Sequence, residues 1–305
     1  MNVLIATEKP FAPKAVEAMR AVIEQSGNSL SLLEKYTERS QLLEAVASAD
    51  ALIVRSDKVD DEVMAAAPNL KIIVRAGAGY DNIDLAAATA RGIVVENTPG
   101  QNSRAVAELV LGMAIMAARN NFDGTTGCEI SGKRVGLQAF GQVSRNVAKV
   151  LEGFGAEVSA IDPFCPAEAI EAAGVKACPS VPELYAANDI VSIHIPATPQ
   201  TVGSIGRELI ESMPKNAVLI NTARKEVIDE AGLEAALEAR PDIKYFADVK
   251  PGNAETLTAK FGNRVFFTPK KCGAQTREAN MNAGVAAAHQ AVSFLETGKP
   301  SHKVN

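Results

Sequence analysis

Short β-branched, apolar runs alternate with helix-patterned segments along almost the whole chain. Residues 3–7, 51–54, 71–74 and 93–95 are runs of this kind, and a helix-patterned stretch follows the first from about residue 12 to 25. Strands that are apolar on both faces and separated by helices belong in a parallel sheet covered on both sides. The pattern restarts at residues 134–139 and continues through 157–161, 190–193, 218–220, 245–247 and 265–267. A turn-rich break at residues 97–101 and an apolar helix over 102–121 separate the two series, and an alanine-rich helix runs from about 276 to 296. The reading is α/β: two doubly wound parallel-sheet domains with a cleft between them.

Composition narrows the partners. The net charge of −5 over 305 residues argues against nucleic acid as the main partner. The cysteines Cys128, Cys165, Cys178 and Cys272 form no C-x-x-C pair, so neither a metal site nor a redox motif is expected, and free thiols suit a reducing cytoplasm. The longest apolar run, residues 109–118, is bounded by Glu108 and Arg119. It is well short of the ~20 residues of a membrane span, so no membrane association is expected.

The second series opens with the most informative turn. Ala139-Phe-Gly141-Gln-Val-Ser144 lies between a strand and a helix, where a G-x-G-x-x-G dinucleotide fingerprint would lie. The first position makes a tight turn, the second lets backbone N–H groups approach a pyrophosphate, and the third packs helix on strand. Only Gly141 keeps its glycine; Ala139 and Ser144 carry a Cβ. Asp162 ends the next strand, 23 residues beyond Ala139, where an acid accepts the adenosine ribose hydroxyls and disfavours a 2′-phosphate. That arrangement favours NAD over NADP. Alone, these residues read equally well as a glycine-poor βα turn followed by a capping aspartate.

Further segments carry a resemblance. Val74-Arg-Ala-Gly-Ala-Gly-Tyr-Asp-Asn-Ile-Asp84, Asn97-Thr-Pro-Gly-Gln-Asn102, Ala107-Glu-Leu109, His194-Ile-Pro196, Asn221-Thr-Ala-Arg224 and Asp248-Val249 are similar to the motifs of the D-isomer-specific 2-hydroxyacid dehydrogenase family, over nearly the whole chain. The resemblance implies two Rossmann-like domains: a discontinuous substrate-binding domain of residues 1–100 and 280–305, and an NAD-binding domain of residues 101–279. With the sequence stopping at Asn305, no serine-binding regulatory domain is expected to follow. The family's chemistry is hydride transfer between nicotinamide C4 and substrate C2, with a proton moved to or from the C2 oxygen. On this resemblance Ala139, Gly141, Gln142, Val143 and Asp162 hold the dinucleotide on one side. His194, Pro196, Thr222, Ala223, Asp248 and Gly273 line it on the other.

Arg224 matches the family's arginine, whose fixed charge and fork of donors suit a 2-oxo or 2-hydroxy carboxylate. The acid/base departs from the family pattern. The family places Pro-His before Gly-Ala-x-Thr and a glutamate after Asp-Val. This chain has Thr268-Pro-Lys-Lys-Cys-Gly-Ala-Gln-Thr276 instead, with one residue inserted, and Glu255 aligns poorly with the missing glutamate. Counted back from Gly273, Lys271 takes the histidine position, with Lys270 as its adjacent rival. A lysine needs no carboxylate to fix an imidazole tautomer, and nearby Arg224 and desolvation are expected to lower its pKa. Of the histidines, His194 lines the nicotinamide side without acting as the base, and His289 is expected to pack within the final helix. His302, in the tail, suggests nothing.

On the substrate side, strands 51–54 and 71–74 both lead into arginines, Arg55 (followed by Ser56) and Arg75. The resemblance puts both on a phosphate or carboxylate, with Ala76 and Gly77 offering backbone N–H groups and Asn102 a side-chain amide. The expected reaction is NAD-dependent oxidation of 3-phospho-D-glycerate to 3-phosphohydroxypyruvate. Reduction of glyoxylate or hydroxypyruvate, and a non-catalytic NAD(H)-sensing scaffold, stay open as alternatives. Apolar Val106, Leu109, Val110, Met113 and Met116 on the 102–121 helix require burial or a subunit contact, and the resemblance favours a homodimer through residues 101–130.

Overall fold

The computed structural model describes residues 1–305 and divides into two compact units, Met1–Asn102 with Gln275–Asn305, and Ser103–Ala274. In the first, β1 (Asn2–Thr7), α1 (Pro13–Gln25), β2 (Ser29–Glu34), α2 (Arg39–Val46), β3 (Ala51–Val54), α3 (Asp61–Ala65), β4 (Ile72–Arg75), α4 (Leu85–Ala90) and β5 (Val94–Asn97) follow in order. The strands form one parallel sheet in the order β2-β1-β3-β4-β5. The order reverses at β1 and β3, so the carboxyl ends of those two strands flank a switch point, where open α/β sheets bind ligands.

The second unit runs through α5 (Ser103–Ala118), β6 (Arg134–Gln138), α6 (Gln142–Gly153), β7 (Glu157–Ile161), α7 (Ala167–Glu171), β8 (Lys176–Ala177), α8 (Val181–Ala187) and β9 (Ile190–Ile193). It continues through α9 (Arg207–Glu211), β10 (Val218–Asn221), α10 (Glu230–Ala239), β11 (Lys244–Ala247), α11 (Ala254–Phe261) and β12 (Val265–Phe267). Its sheet is also parallel throughout, in the order β12-β11-β10-β9-β6-β7-β8, with the switch point between β6 and β9. The chain then returns to the first unit as α12 (Arg277–Thr297).

Two parallel sheets are what the apolar runs require, and the interiors of β3, β6, β9, β10 and β11 are buried. Two strands escaped the sequence reading. The edge strand β2, Ser-Leu-Ser-Leu-Leu-Glu, is half-solvated and lacks the β-branched residues that mark the others. The other, β8, is only two residues long. β5 lies further along the chain than expected and includes Glu96, a fully buried carboxylate that accepts the Ser301 backbone N–H at 2.6 Å. The tail from Ser301 thus docks on this sheet edge, with Val304 N–H donating to Val95 O.

The partner of α12 could not be read from its pattern because alanines ring it. It packs on α1: a Cβ on Gly284 would come within 2.8 Å of Met19 Sδ and 3.1 Å of Phe11. His289 on this helix is exposed, which corrects its assignment as a packing histidine. His302 bonds Gln290 Nε2 through Nδ1 at 2.8 Å. α5 is shorter than the 102–121 stretch. It stops at Ala118, and Asn120, Asn121 and Phe122 turn with positive φ. Val110, Leu111 and Met113 are buried in the core of their own unit, so burial accounts for most of the apolar face of α5. No helix is long and apolar enough to cross a membrane.

Candidate active site

The turn after β6 stands at the switch point of the second unit. Asp162, just past β7, accepts Phe140 N–H on Oδ2 and Phe164 N–H on Oδ1, both at 2.8 Å, tying the carboxyl ends of β6 and β7 together. Ala139 is held at φ +86°, the left-handed conformation that favours glycine, which for alanine costs about 1 kcal/mol. Gly141 is the N-cap of α6, and a Cβ built on it meets no atom within 4 Å. The open space over a helix N-terminus, beside exposed Gln142 and half-buried Val143, is what a pyrophosphate needs. Ser144 takes the helix-packing role of the fingerprint's third position. It is fully buried on the face of α6 that also carries Val147, Ala148 and Leu151. Its Cβ therefore faces the packing side and cannot hold a phosphate away. Its hydroxyl is buried without a partner.

Across the switch point, His194 N–H donates to Gln138 O at 3.0 Å, continuing the β6–β9 ladder past β9. His194 Nε2 is buried without a partner, and burial pulls the ring pKa down to about 4. Burial thus makes the imidazole a weaker base than an exposed histidine. Pro196, two residues on, is exposed, and its carbonyl accepts the Thr201 hydroxyl at 2.5 Å. Gln138 itself is buried and accepts the Tyr185 hydroxyl at 2.8 Å, fixing the strand beneath the turn.

Arg224 is presented by a turn that Asn221 builds. Asn221, fully buried at the end of β10, accepts Ala223 N–H on Oδ1 and donates Nδ2 to Arg224 O, each at 2.9 Å. Arg224 is half-buried, and its guanidinium also donates to Ala223 O at 3.0 Å. Thr222 beside it is buried, and its hydroxyl has no partner. Sequence reading missed Asn221 as a determinant, because an asparagine after a strand reads only as a turn residue.

Lys271 belongs to the loop after β12, and Asp248 organises that loop. Asp248, 1% exposed, accepts Thr268 Oγ1 at 3.0 Å, Cys272 N–H at 2.8 Å and Cys272 Sγ at 3.2 Å on Oδ1, and Gly273 N–H at 2.8 Å on Oδ2. Burial, then the bond to Asp248, pushes the Cys272 thiol up to about 11. Lys271 and Lys270 are both exposed, so the desolvation expected around Lys271 is not provided here. Glu255 is exposed in the first turn of α11.

In the first unit, Asp57 shapes the switch point. Buried, it accepts Glu8 N–H at 2.7 Å, Tyr36 OH at 2.8 Å and Arg55 N–H at 3.2 Å. Burial and this carboxylate push the Tyr36 phenol above its usual range. Arg55 donates to Lys9 O at 3.0 Å, Pro10 O at 3.1 Å and Asn280 Oδ1 at 2.6 Å, and its guanidinium lies over the Phe11 ring. Arg75 donates Nε to Arg55 O at 3.0 Å, and its guanidinium covers Gly77, where a Cβ would overlap it. Ser56 is exposed, and Asn102 is half-buried. The backbone donors expected for a carboxylate need correcting. Ala76 N–H is spent on Val54 O and Gly77 N–H on Arg75 O, both at 2.8 Å.

Two parallel doubly wound sheets, one with a dinucleotide-type turn at its switch point and an arginine displayed from a neighbouring strand, define a two-domain nucleotide-dependent α/β protein. The chain belongs to the D-isomer specific 2-hydroxyacid dehydrogenase family, whose catalytic-domain profile matches residues 3–305. It is 37% identical to D-3-phosphoglycerate dehydrogenase of Methanocaldococcus jannaschii, over 88% of this chain and 54% of that protein. It is 34% identical to hydroxypyruvate reductase of Thermotoga maritima, over 84% of this chain and 88% of that protein. The crystal structure of NAD+-bound 3-phosphoglycerate dehydrogenase of Entamoeba histolytica superimposes with a TM-score of 0.91 at 42% identity, covering 100% of this chain and 98% of that one. The chain spans about half the length of several of the curated D-3-phosphoglycerate dehydrogenases it matches.

Proposed function

We propose that this chain is an NAD-dependent dehydrogenase that oxidises 3-phospho-D-glycerate to 3-phosphohydroxypyruvate. The observation that carries the cofactor assignment is the turn at β6. Open space over Gly141 at a helix N-terminus suits a pyrophosphate, and Asp162 stands beside it for the ribose. The E. histolytica enzyme binds NAD+, and the relatives named as phosphoglycerate dehydrogenases suggest the substrate.

Bound NAD supplies the hydride acceptor. Arg224 binds the substrate carboxylate and polarises the bond at C2. As the hydride leaves C2, Lys271 in its neutral form accepts the proton of the C2 hydroxyl; in reduction its ammonium returns that proton. Neutral His194 walls the nicotinamide side without competing for it. Asp248 fixes the loop that carries Lys271, and Arg55 and Arg75 attract the phosphate. Four free thiols suit a cytoplasmic enzyme. The segment 101–130, which displays Phe122 at 67% exposure, is the proposed dimer contact, and a monomeric mass in solution overturns it.

One observation favours a second reading. Arg55 has already committed donors to Lys9, Pro10 and Asn280 and has fewer left for a phosphate, which suits a smaller 2-oxo acid such as hydroxypyruvate. Absorbance at the NADH wavelength with each substrate decides. Turnover favouring phosphohydroxypyruvate supports the first reading, and turnover favouring hydroxypyruvate or glyoxylate supports the second. Tight NADH binding without turnover on any of them overturns both in favour of a sensing scaffold. The Lys271→Ala variant is expected to bind NADH and lose most activity, and a fully active variant removes Lys271 from the mechanism.

A further inference from the structure

A cavity of about 380 Å3 lies in the second unit at the amino-terminal ends of its strands, the sheet edge opposite the dinucleotide turn. Lys133 precedes β6, Lys215 lies shortly before β10, and Lys244 begins β11; all three line it. The end of α5 and the segment through Cys128 form the wall. Cys128 N–H donates to Ala118 O at 2.8 Å, and a Cβ on Gly127 would collide with the same carbonyl. Only glycine lets the segment lie this close, so the wall is fitted to the helix end.

The charges of this cavity do not cancel. Lys244 Nζ is partly buried and bonds only neutral acceptors, Ala117 O and Asn120 Oδ1, each at 2.7 Å. Lys133 and Lys215 form no ion pair, although Lys133 adds through space to the field on Asp189. The two aspartates on the lining are already matched. Arg134 grips Asp189 through Nε at 3.1 Å and a terminal nitrogen at 2.7 Å, and Arg240 grips Asp242 at 2.9 and 2.8 Å. Glu129 is the only other acid on the lining, and it is exposed. Three lysines thus converge on a space with one uncommitted carboxylate, in a chain whose net charge is −5. Asp123 attracts the Lys244 ammonium through space without forming an ion pair, so this half-buried charge is only partly compensated and an added anion would stabilise it.

We propose that this cavity is a second anion site that takes a phosphate dianion, free or as a small phosphate ester, between Lys133, Lys215 and Lys244. Its volume falls within the ~300–1,000 Å3 of small-molecule sites. It shares no residue with the proposed active site, so its occupancy can be tested whether or not the enzymatic reading holds; its wall falls within the proposed dimer segment 101–130, so the test is run on the oligomer whose mass in solution has been measured.

Cys128 on the wall provides a local probe. The full chain is treated with iodoacetamide in sodium phosphate or in sodium chloride of equal ionic strength, and alkylation of Cys128 and Cys165 is followed by peptide mass spectrometry. Phosphate is expected to slow Cys128 alkylation several-fold and to leave Cys165 unchanged. In the Lys133→Ala/Lys215→Ala double variant, which removes one exposed and one half-buried side chain, roughly tenfold more phosphate should be needed, from the loss of charge-assisted hydrogen bonds. Lys244→Met should abolish the effect while NADH binding persists. Stronger protection by glycerol 3-phosphate supports an ester as occupant, and equal or weaker protection supports the free anion. No protection beyond chloride in the wild type, or undiminished protection in the double variant, overturns the site.

Discussion

The Asp248 carboxylate accepts the Gly273 backbone N–H at 2.8 Å, and a Cβ on Gly273 would come within 2.9 Å of that same oxygen. The two residues, one at the end of β11 and the other beyond β12, are held too closely for any side chain but hydrogen. The loop carrying Lys271 thus takes its shape from a buried acid about two dozen residues earlier.

Asp248→Asn should loosen this loop. An amide cannot accept on both sides, so at least one of the four donors faces an N–H group and loses its partner, at about 1–3 kcal/mol. The variant is expected to lose activity while NADH still binds. Cys272 reports the local effect. Its thiol, pushed up to about 11 by burial and by Asp248, is almost wholly protonated near neutrality. Its alkylation in the wild type should rise with pH until about 11 and should be far slower than that of exposed Cys128 at about pH 8. In Asp248→Asn the rise should shift to lower pH. An unchanged Cys272 profile removes Asp248 from control of the loop.

The dinucleotide turn makes a second prediction in two parts. Ala139 sits at φ +86°, so Ala139→Gly removes left-handed strain and should raise stability by up to about 1 kcal/mol. It should also strengthen NADH binding, since the backbone can approach the pyrophosphate more closely. Ser144→Ala should raise stability by about 1 kcal/mol through loss of an unpartnered buried hydroxyl, and leave NADH affinity unchanged. Thermal denaturation and a fluorescence titration check both. Weaker NADH binding by Ser144→Ala would return Ser144 to the phosphate side of the helix.

These two residues show where the sequence could be read. The apolar strands and the helix after Gly141 were legible because burial on both sheet faces leaves a run of β-branched residues. So was the position of Ala139, because the strand-to-helix switch marks it. The packing side that Ser144 faces is what the fingerprint's third position requires, and helical phase with Val147, Ala148 and Leu151 agrees. Asn221, Asp57 and the loop-organising role of Asp248, itself expected only to line the dinucleotide, were hidden for a physical reason. Each is a buried acceptor whose donors are mostly backbone N–H and hydroxyl groups, and backbone groups leave no trace in residue identity. Arg55 and Arg75 were found as charges, but the carbonyls that hold them were not.

His194 predicts a pH dependence of stability. Its ring is held near a pKa of about 4 by burial, against about 6.5 unfolded. Above about pH 6.5 the ring is neutral in both states and contributes nothing to the pH slope. As pH falls from there toward about 4, the unfolded chain takes up the proton first, and native stability declines by at most about 3 kcal/mol. Below about 4 the loss is complete and levels off. Urea unfolding of wild type and His194→Gln at several pH values isolates this share. The difference between them should grow more favourable to the variant as pH drops through this window, and a constant difference contradicts the assignment.

Arg55 separates the two substrate readings, but only through a ratio. It holds Lys9 O, Pro10 O and Asn280 Oδ1, so Arg55→Ala loses structure around the switch point of the first unit as well as a charge. A general loss of activity is therefore uninformative. A lost phosphate contact, in contrast, acts on one substrate only. If Arg55 binds phosphate, Arg55→Ala should raise KM for phosphohydroxypyruvate by roughly tenfold or more, the value of a charge-assisted hydrogen bond, and change KM for hydroxypyruvate much less. Structural damage alone would move both by the same factor. Arg55→Lys refines the test, because a single ammonium keeps the charge but cannot reach three acceptors and a phosphate together. Recovery of phosphohydroxypyruvate selectivity by Arg55→Lys would assign Arg55 an electrostatic role toward the phosphate. Equal KM changes for both substrates in Arg55→Ala would confine it to holding the loop after β1.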